Sequence, residues 1–305
     1  MKPICPSSVL VVDKPRGPTS HDVVFRLRRA LGTRHVGHCG TLDPMATGVL
    51  VVAVEDATKL VPWLTADDKT YEATIRLGVA TDSLDAEGAE TARAPLEAMG
   101  SSGGCAPPVI ARALDAERAR TLQMPPAISA IRIGGERAHA IARRGEVPEL
   151  AAREVAVRSI EVLGGGLEFE PHLRLRVEVA KGYFVRSLAR DLAEALGTYG
   201  HITALRRTRS GVFTIEEATS LDAGDEALRA ALVPIDRAAA RALPVAVLTP
   251  DGVVAAGHGQ RLMPDQVKAP LTGPSAWLDE AGSLVAVGEV EIDGGGRVLR
   301  GFSRR

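Results

Sequence analysis

Between Tyr71 and Leu77 this chain alternates strictly: Tyr71, Ala73, Ile75 and Leu77 fall on one side, Glu72, Thr74 and Arg76 on the other. A period of two, with one apolar and one polar face, is the pattern of an antiparallel strand that covers a core on one side and meets water on the other. Leu173, Leu175, Val177 and Val179 repeat it, with Arg174, Arg176 and Glu178 between them. Val9 to Val12 and Val49 to Val54 are apolar at every position and read as buried strands. Helical periods are interspersed among these strands without a strand–helix–strand rhythm. The expected class is therefore α+β, not a doubly wound parallel sheet.

The turn Asp13-Lys14-Pro15-Arg16-Gly17-Pro18 precedes Thr19 and Ser20, either of which can cap a helix. That helix shares Val23, Val24, Leu27 and Leu31 on one face and stops at Gly32. A second helix is predicted from Ser187 to Leu196, before Gly197. Residues 98–108, rich in Gly, Ser and Pro, read as a flexible surface loop, followed by an Ala-rich helical stretch to about 238. Past Ala242 short apolar runs (Val245–Leu248, Leu284–Val290) are broken by Gly, Pro and Asp, the texture of a small all-β domain. The expected division is a large domain over 1–242 and a small one over 243–305.

No apolar run approaches the roughly 18 residues that cross a bilayer, and the N-terminus lacks a signal-peptide core, so a cytoplasmic chain with no membrane partner is expected. Cys5, Cys39 and Cys105 share no CxxC spacing, which fits neither a disulfide framework nor a structural zinc site. The formal net charge is −1, yet the cations are segregated. Residues 21–38 hold four Arg against one Asp, residues 132–144 four Arg against one Glu, and 206–209 and 297–305 hold Arg with no acid. Such windows suit a phosphate backbone, and they equally suit unrelated solvated faces. With aromatics at 3 %, recognition of a nucleic acid would rest on shape and phosphates, not on stacked rings, and affinity should fall steeply with salt.

The segment from Arg34 to Gly48 (Arg-His-Val-Gly-His-Cys-Gly-Thr-Leu-Asp-Pro-Met-Ala-Thr-Gly) places one carboxylate, Asp43, among small residues just ahead of an apolar strand. No second acid lies in this loop, which disfavours paired-carboxylate glycoside chemistry and a metal cluster. A lone carboxylate suits nucleophilic or base work. Read alone, Asp43-Pro44 is also an ordinary turn. Arg186 falls in the first turn of the second predicted helix, where a cation opposes the helix dipole and so calls for an anionic partner. Tyr71, after Lys69-Thr70, opens the alternating strand.

Gly37-His38-Cys39-Gly40-Thr41-Leu42-Asp43-Pro44-Met45-Ala46-Thr47-Gly48-Val49-Leu50 resembles the catalytic motif of the bacterial tRNA pseudouridine-55 synthases, the TruB family. Leu10 to Pro15, Asp56 to Leu60, Lys69 to Tyr71, Thr81 to Gly88, Gln123 to Ala130, Lys181 to Arg186 and His201 to Arg207 extend the likeness over nearly the whole chain. The resemblance implies a pseudouridine-synthase domain with a mixed, largely antiparallel sheet, then a C-terminal PUA-like RNA-binding domain. It implies action on a uridine in the tRNA T-arm, by a monomer needing no cofactor, metal or protein partner. Asp43 matches the catalytic aspartate, which attacks the ribose or the base; Tyr71 matches the tyrosine that stacks on the uracil and takes the C5 proton, and Arg186 the arginine that pairs the aspartate. His38 matches the residue that helps fill the space left by the flipped base, Leu205 matches a residue lining the uracil pocket, and Lys59 matches a lysine near the active-site loop. Lys14, Asp85, Ser129, Arg132, Arg206 and Arg207 stand as candidate RNA contacts.

The chain departs from the family at Tyr183-Phe184, where Thr-Tyr is usual, so Phe184 keeps the ring expected against the substrate and loses the hydroxyl. Ile128, Arg132 and His139 replace the usual Tyr, Lys and aromatic residue. Three rivals remain: an RNA-binding protein without catalysis, a guide-dependent synthase in a ribonucleoprotein, and a hydrolase using His38 and Asp43 with Asp82, Asp85 and Glu87 as metal ligands. The first has no use for Asp43, Tyr71 and Arg186 together; the second tends to carry long basic extensions; the third lacks full calcium-loop spacing.

Overall fold

The computed structural model describes residues 5–94, 107–129, 131–166, 170–268 and 273–302. Most of the 98–108 loop lies outside the described residues. The chain forms two compact units, one of Met1–Asp43, Gly48–Ala66 and Ser210–Arg305, the other of Pro44–Thr47 and Asp67–Arg209.

In the first unit, strand Ser8–Lys14 runs antiparallel to the strand ending at Val54, in a register from Ser8 opposite Val54 to Lys14 opposite Gly48. Val9–Val12 and Val49–Val54 are buried, as apolar runs without alternation require. Val36–His38 pairs with the same strand, placing His38 opposite Val52. Helix Ser20–Leu31 opens on Thr19, whose hydroxyl accepts from Asp22 N–H while the Asp22 carboxylate accepts from Thr19 N–H. The helix closes on Gly32 in the left-handed conformation, φ 72°. A five-stranded sheet follows in the order Val267–Lys268, Val245–Leu248, Ser275–Leu278, Leu284–Val290, Gly296–Gly301. Ala276, Leu278, Leu284, Val287 and Phe302 share one core with Val9, Val11, Val49, Val51 and Ala53, which is why the unit reaches across residue 242.

The second unit carries four long strands in the order Val157–Gly166, His172–Val179, Lys69–Leu77, Gly200–Ser210. The first three are antiparallel, with Tyr71 opposite Val177, and burial along Lys69–Leu77 alternates at every residue. The Ala-rich helical stretch expected to reach about 238 is corrected. Helix Pro107–Arg118 is followed by strands over most of the interval, and among the described residues α-helix returns at Ala138–Arg143, Val185–Ala195, Asp225–Ala230 and Ile235–Ala242. Alanine propensity yields there to the two-residue period of the strands. Helix Val185–Ala195 begins two residues earlier than predicted, because Val185 and Arg186 are already on its buried face. Strand pairings are mixed: Ser8–Lys14 with Thr219–Ser220 and Val245–Leu248 with Ser275–Leu278 are parallel, while Ser8–Lys14 with Thr47–Val54, His172–Val179 with Lys69–Leu77 and Leu284–Val290 with Gly296–Gly301 are antiparallel. The class is α+β.

Candidate active site

In the first unit, Asp43 ends a segment tied down at several points. Cys39 N–H donates to Val51 O at 2.8 Å, and Gly40 turns the chain at φ 99°. Ser20 Oγ donates to Leu42 O at 3.0 Å and accepts from Leu42 N–H at 2.8 Å. Leu42 and Ser20 are buried, and Asp43 is half-buried. The His38 ring meets His21 edge-on, with centroids 5.2 Å apart. Lys14, expected to contact RNA, is fully buried, and its Nζ donates to Pro15 O and Pro18 O at 2.9 and 2.8 Å. It holds the turn that leads into Thr19 and Ser20. Lys59 pairs with Asp56 at 3.1 Å and lies 5.8 Å from the Phe302 ring centroid.

In the second unit, Arg186 is 7 % exposed; its Nη1 donates to Ser83 O at 2.8 Å and lies 3.6 Å from Asp85 Oδ2. A buried guanidinium needs such compensation. Asp85 is buried too, and its Oδ1 accepts from Ser83 Oγ at 2.6 Å and Glu87 N–H at 3.0 Å. The loop is tight: a Cβ on Gly88 would fall 2.3 Å from both Asp82 Oδ1 and Ser83 Oγ. Asp82 Oδ1 accepts from Ala89 N–H at 3.0 Å. The acidic stretch weighed as metal ligands thus holds its own backbone and Arg186. Tyr71 and Leu205 are nearly buried on their strands, and Thr47 Oγ1 donates to Leu205 O at 3.5 Å.

The Tyr183-Phe184 departure has a structural reading. Tyr183 Oη donates to Glu117 Oε1 at 2.6 Å, so its hydroxyl is engaged with helix Pro107–Arg118 and does not replace the one missing from Phe184. Phe184 is held by its backbone: its N–H donates to Gln123 Oε1 at 2.8 Å, and Gln123 Nε2 donates to Phe184 O at 3.2 Å. Ser20, Ser83, Glu117 and Gln123 were missed as functional residues by sequence reasoning. Ser83 and Gln123 lie inside family-like blocks, and Ser20 was read only as a possible helix cap.

Of the candidate RNA contacts, Lys14, Asp85, Ser129 and Arg207 have buried side chains. Arg206 is half-buried and donates to Thr47 Oγ1 at 3.3 Å, while Arg132 is exposed on the Arg132–Ile133 strand. The basic windows are also less available than their composition suggests. Arg26 pairs with Asp222, Arg28 donates to Val36 O, Arg144 pairs with Glu136 and Glu146, Arg209 with Glu178, and Arg297 with Glu289. Among the described residues no helix is long and apolar enough to cross a membrane.

Comparison with known proteins gives this arrangement its context. The family description "TruB family pseudouridylate synthase (N terminal domain)" matches residues 28–185, and "tRNA pseudouridylate synthase B C-terminal domain" matches 186–240. The chain is 45 % identical over 286 residues to a "tRNA pseudouridine synthase B" of Corynebacterium aurimucosum, covering 93 % of each chain. It is 52 % identical over 216 residues to the protein of the same name from Nocardia farcinica, covering 70 % of this chain and 69 % of that one. A chain in the solved "Structure of H/ACA RNP bound to a substrate RNA containing 2'-deoxyuridine" superposes with a TM-score of 0.72 at 26 % identity, over 98 % of this chain and 86 % of that one. Fold and sequence together define a pseudouridylate synthase. Within that class, the chain belongs to the TruB family. Residues 241–305 fall outside both family matches.

Proposed function

We propose that this protein isomerises a uridine in the T-arm of tRNA, expected at position 55, to pseudouridine, with Asp43 as the catalytic carboxylate. The family match over residues 28–185, which contains the Asp43 motif, carries this reading. Identity of 45 % over 93 % of a tRNA-named relative outweighs 26 % to a chain from a guided ribonucleoprotein, and so favours free tRNA as substrate.

The target base must leave its stack to be reached, and His38 fills the space it vacates. Asp43 drives cleavage of the N-glycosidic bond, the uracil turns while held, and C5 bonds to ribose C1'. The C5 proton leaves to a base, the role assigned to Tyr71, and N1 gains a proton, so product and substrate are isomers. By their match to the family, Arg186 takes the role of the cation serving the catalytic carboxylate, and Leu205 and Phe184 those of residues that hold the uracil. A two-domain organisation, with 243–305 a PUA-like domain gripping the RNA, is part of the proposal, as are cytoplasmic action and a monomer that needs no protein partner.

The test is tRNA tritiated at uracil C5. Wild type should release tritium to water, and Asp43→Asn should bind the RNA and release none. Turnover by Asp43→Asn would overturn the assignment.

A further inference from the structure

We propose that Ser20 is a positioning residue for Asp43. This rests on the reading of Asp43 as the catalytic carboxylate. Ser20 is the first residue of helix Ser20–Leu31, where a hydroxyl ordinarily faces solvent or caps the helix. Here neither applies. Thr19 and Asp22 already form the cap, and Ser20 is 1 % exposed. Its single oxygen instead engages both main-chain groups of Leu42, accepting from N–H at 2.8 Å and donating to C=O at 3.0 Å.

Leu42 needs that engagement. It is buried, and it lies between the Val36–His38 and Thr47–Val54 strands, outside any ladder. Buried main-chain donors and acceptors are nearly always paired, so a loop deprived of these bonds shifts until water or another group supplies them. Asp43 is the next residue, one peptide away. A carboxylate displaced by about an ångström from its reacting atom loses on the order of a hundredfold in rate. The turn behind Ser20 is itself fixed, by Lys14 Nζ on Pro15 O and Pro18 O. A rigid helix start thus sets the carboxylate through one hydroxyl.

The experiment compares wild type, Ser20→Ala and Ser20→Thr by single-turnover tritium release from C5-labelled tRNA, filter binding, and native-state hydrogen exchange at the Leu42 amide. The expected result for Ser20→Ala is a rate loss of about tenfold to a hundredfold, unchanged RNA affinity, and faster exchange at Leu42 but not in the Lys69–Leu77 strand. Ser20→Thr keeps the oxygen and should keep the rate within about threefold. A Ser20→Ala rate equal to wild type, per folded molecule and with Leu42 deprotected, overturns the proposal. Should Ser20→Ala not fold, Ser20→Thr decides: Leu42 protected with the rate retained supports it, Leu42 protected with the rate lost overturns it. An active Asp43→Asn would instead remove the reading beneath it, which separates the two failures.

Discussion

Tyr183 donates its phenolic hydrogen to Glu117 across 2.6 Å, tying the corner ahead of helix Val185–Ala195 to helix Pro107–Arg118. Burial and then the neighbouring Glu117 carboxylate push the phenol far above its ordinary value, which favours its role as donor. The other Glu117 oxygen accepts from Arg120 Nε at 2.6 Å. Tyr183→Phe leaves a buried carboxylate oxygen without its donor, which typically costs about 1–3 kcal/mol. The urea midpoint should fall accordingly, while the single-turnover rate at 25 °C stays within about twofold. An unchanged midpoint would show that the bond contributes nothing net.

Asp85 and Arg186 make the second prediction. Asp85→Asn keeps the side chain's shape but removes the charge 3.6 Å from the buried guanidinium. Arg186 then loses electrostatic restraint without losing its bond to Ser83 O. Tritium release should slow by about tenfold to a hundredfold with RNA binding preserved, and Arg186→Lys should be slower still, because an ammonium cannot reproduce the guanidinium fork. Loss of RNA binding in Asp85→Asn, with turnover of bound RNA intact, would return Asp85 to the role of RNA contact.

The strands of this fold were legible because burial imposes a period of two on Lys69–Leu77 and His172–Val179, and a continuous apolar run on Val49–Val54. Asp43, Tyr71 and Arg186 were proposed through motifs. Their supports were not, since the bonds span long separations: Ser20 and Leu42 are 22 residues apart, Gln123 and Phe184 61, Glu117 and Tyr183 66. No local period encodes such pairs. The burial of Lys14 and Arg207, both expected as RNA contacts, was illegible for a related reason: a cation's sequence says nothing of whether its head group is folded inward, as that of Lys14 is onto two carbonyls.

The Thr19–Asp22 capping box yields a pH prediction. The Thr19 hydroxyl, then its N–H, hold the Asp22 carboxyl below its ordinary value. A carboxyl depressed in the folded state contributes stability fully above its unfolded value, near ~4, and loses that contribution as pH falls through the lower folded value. The melting-temperature gap between wild type and Asp22→Ala should therefore be flat from about pH 8 to pH 5 and narrow toward about pH 3. A gap that widens on acidification would reverse the sign and refute the assignment.

The last prediction concerns the C-terminal sheet. Trp277 is fully buried among Leu248, Leu262, Val267 and Ala286, with its Nε1 donating to Ser275 Oγ at 3.0 Å. Gly288 lies against the ring: a Cβ there would fall 2.3 Å from Cζ2, 2.4 Å from Cη2 and 2.6 Å from Cε2. Those distances are far inside contact, and the ring is fully buried. Gly288→Ala should therefore force Trp277 from its rotamer and weaken the indole hydrogen bond. The overpacking cost expected is about 1–3 kcal/mol, read as a lower urea midpoint. Trp63 is the only other tryptophan, so in a Trp63→Phe background the emission spectrum reports Trp277 alone and should shift to the red as the core loosens. An unchanged spectrum and midpoint would mean the strand, not the ring, yields at no cost, and that this glycine is not required by Trp277.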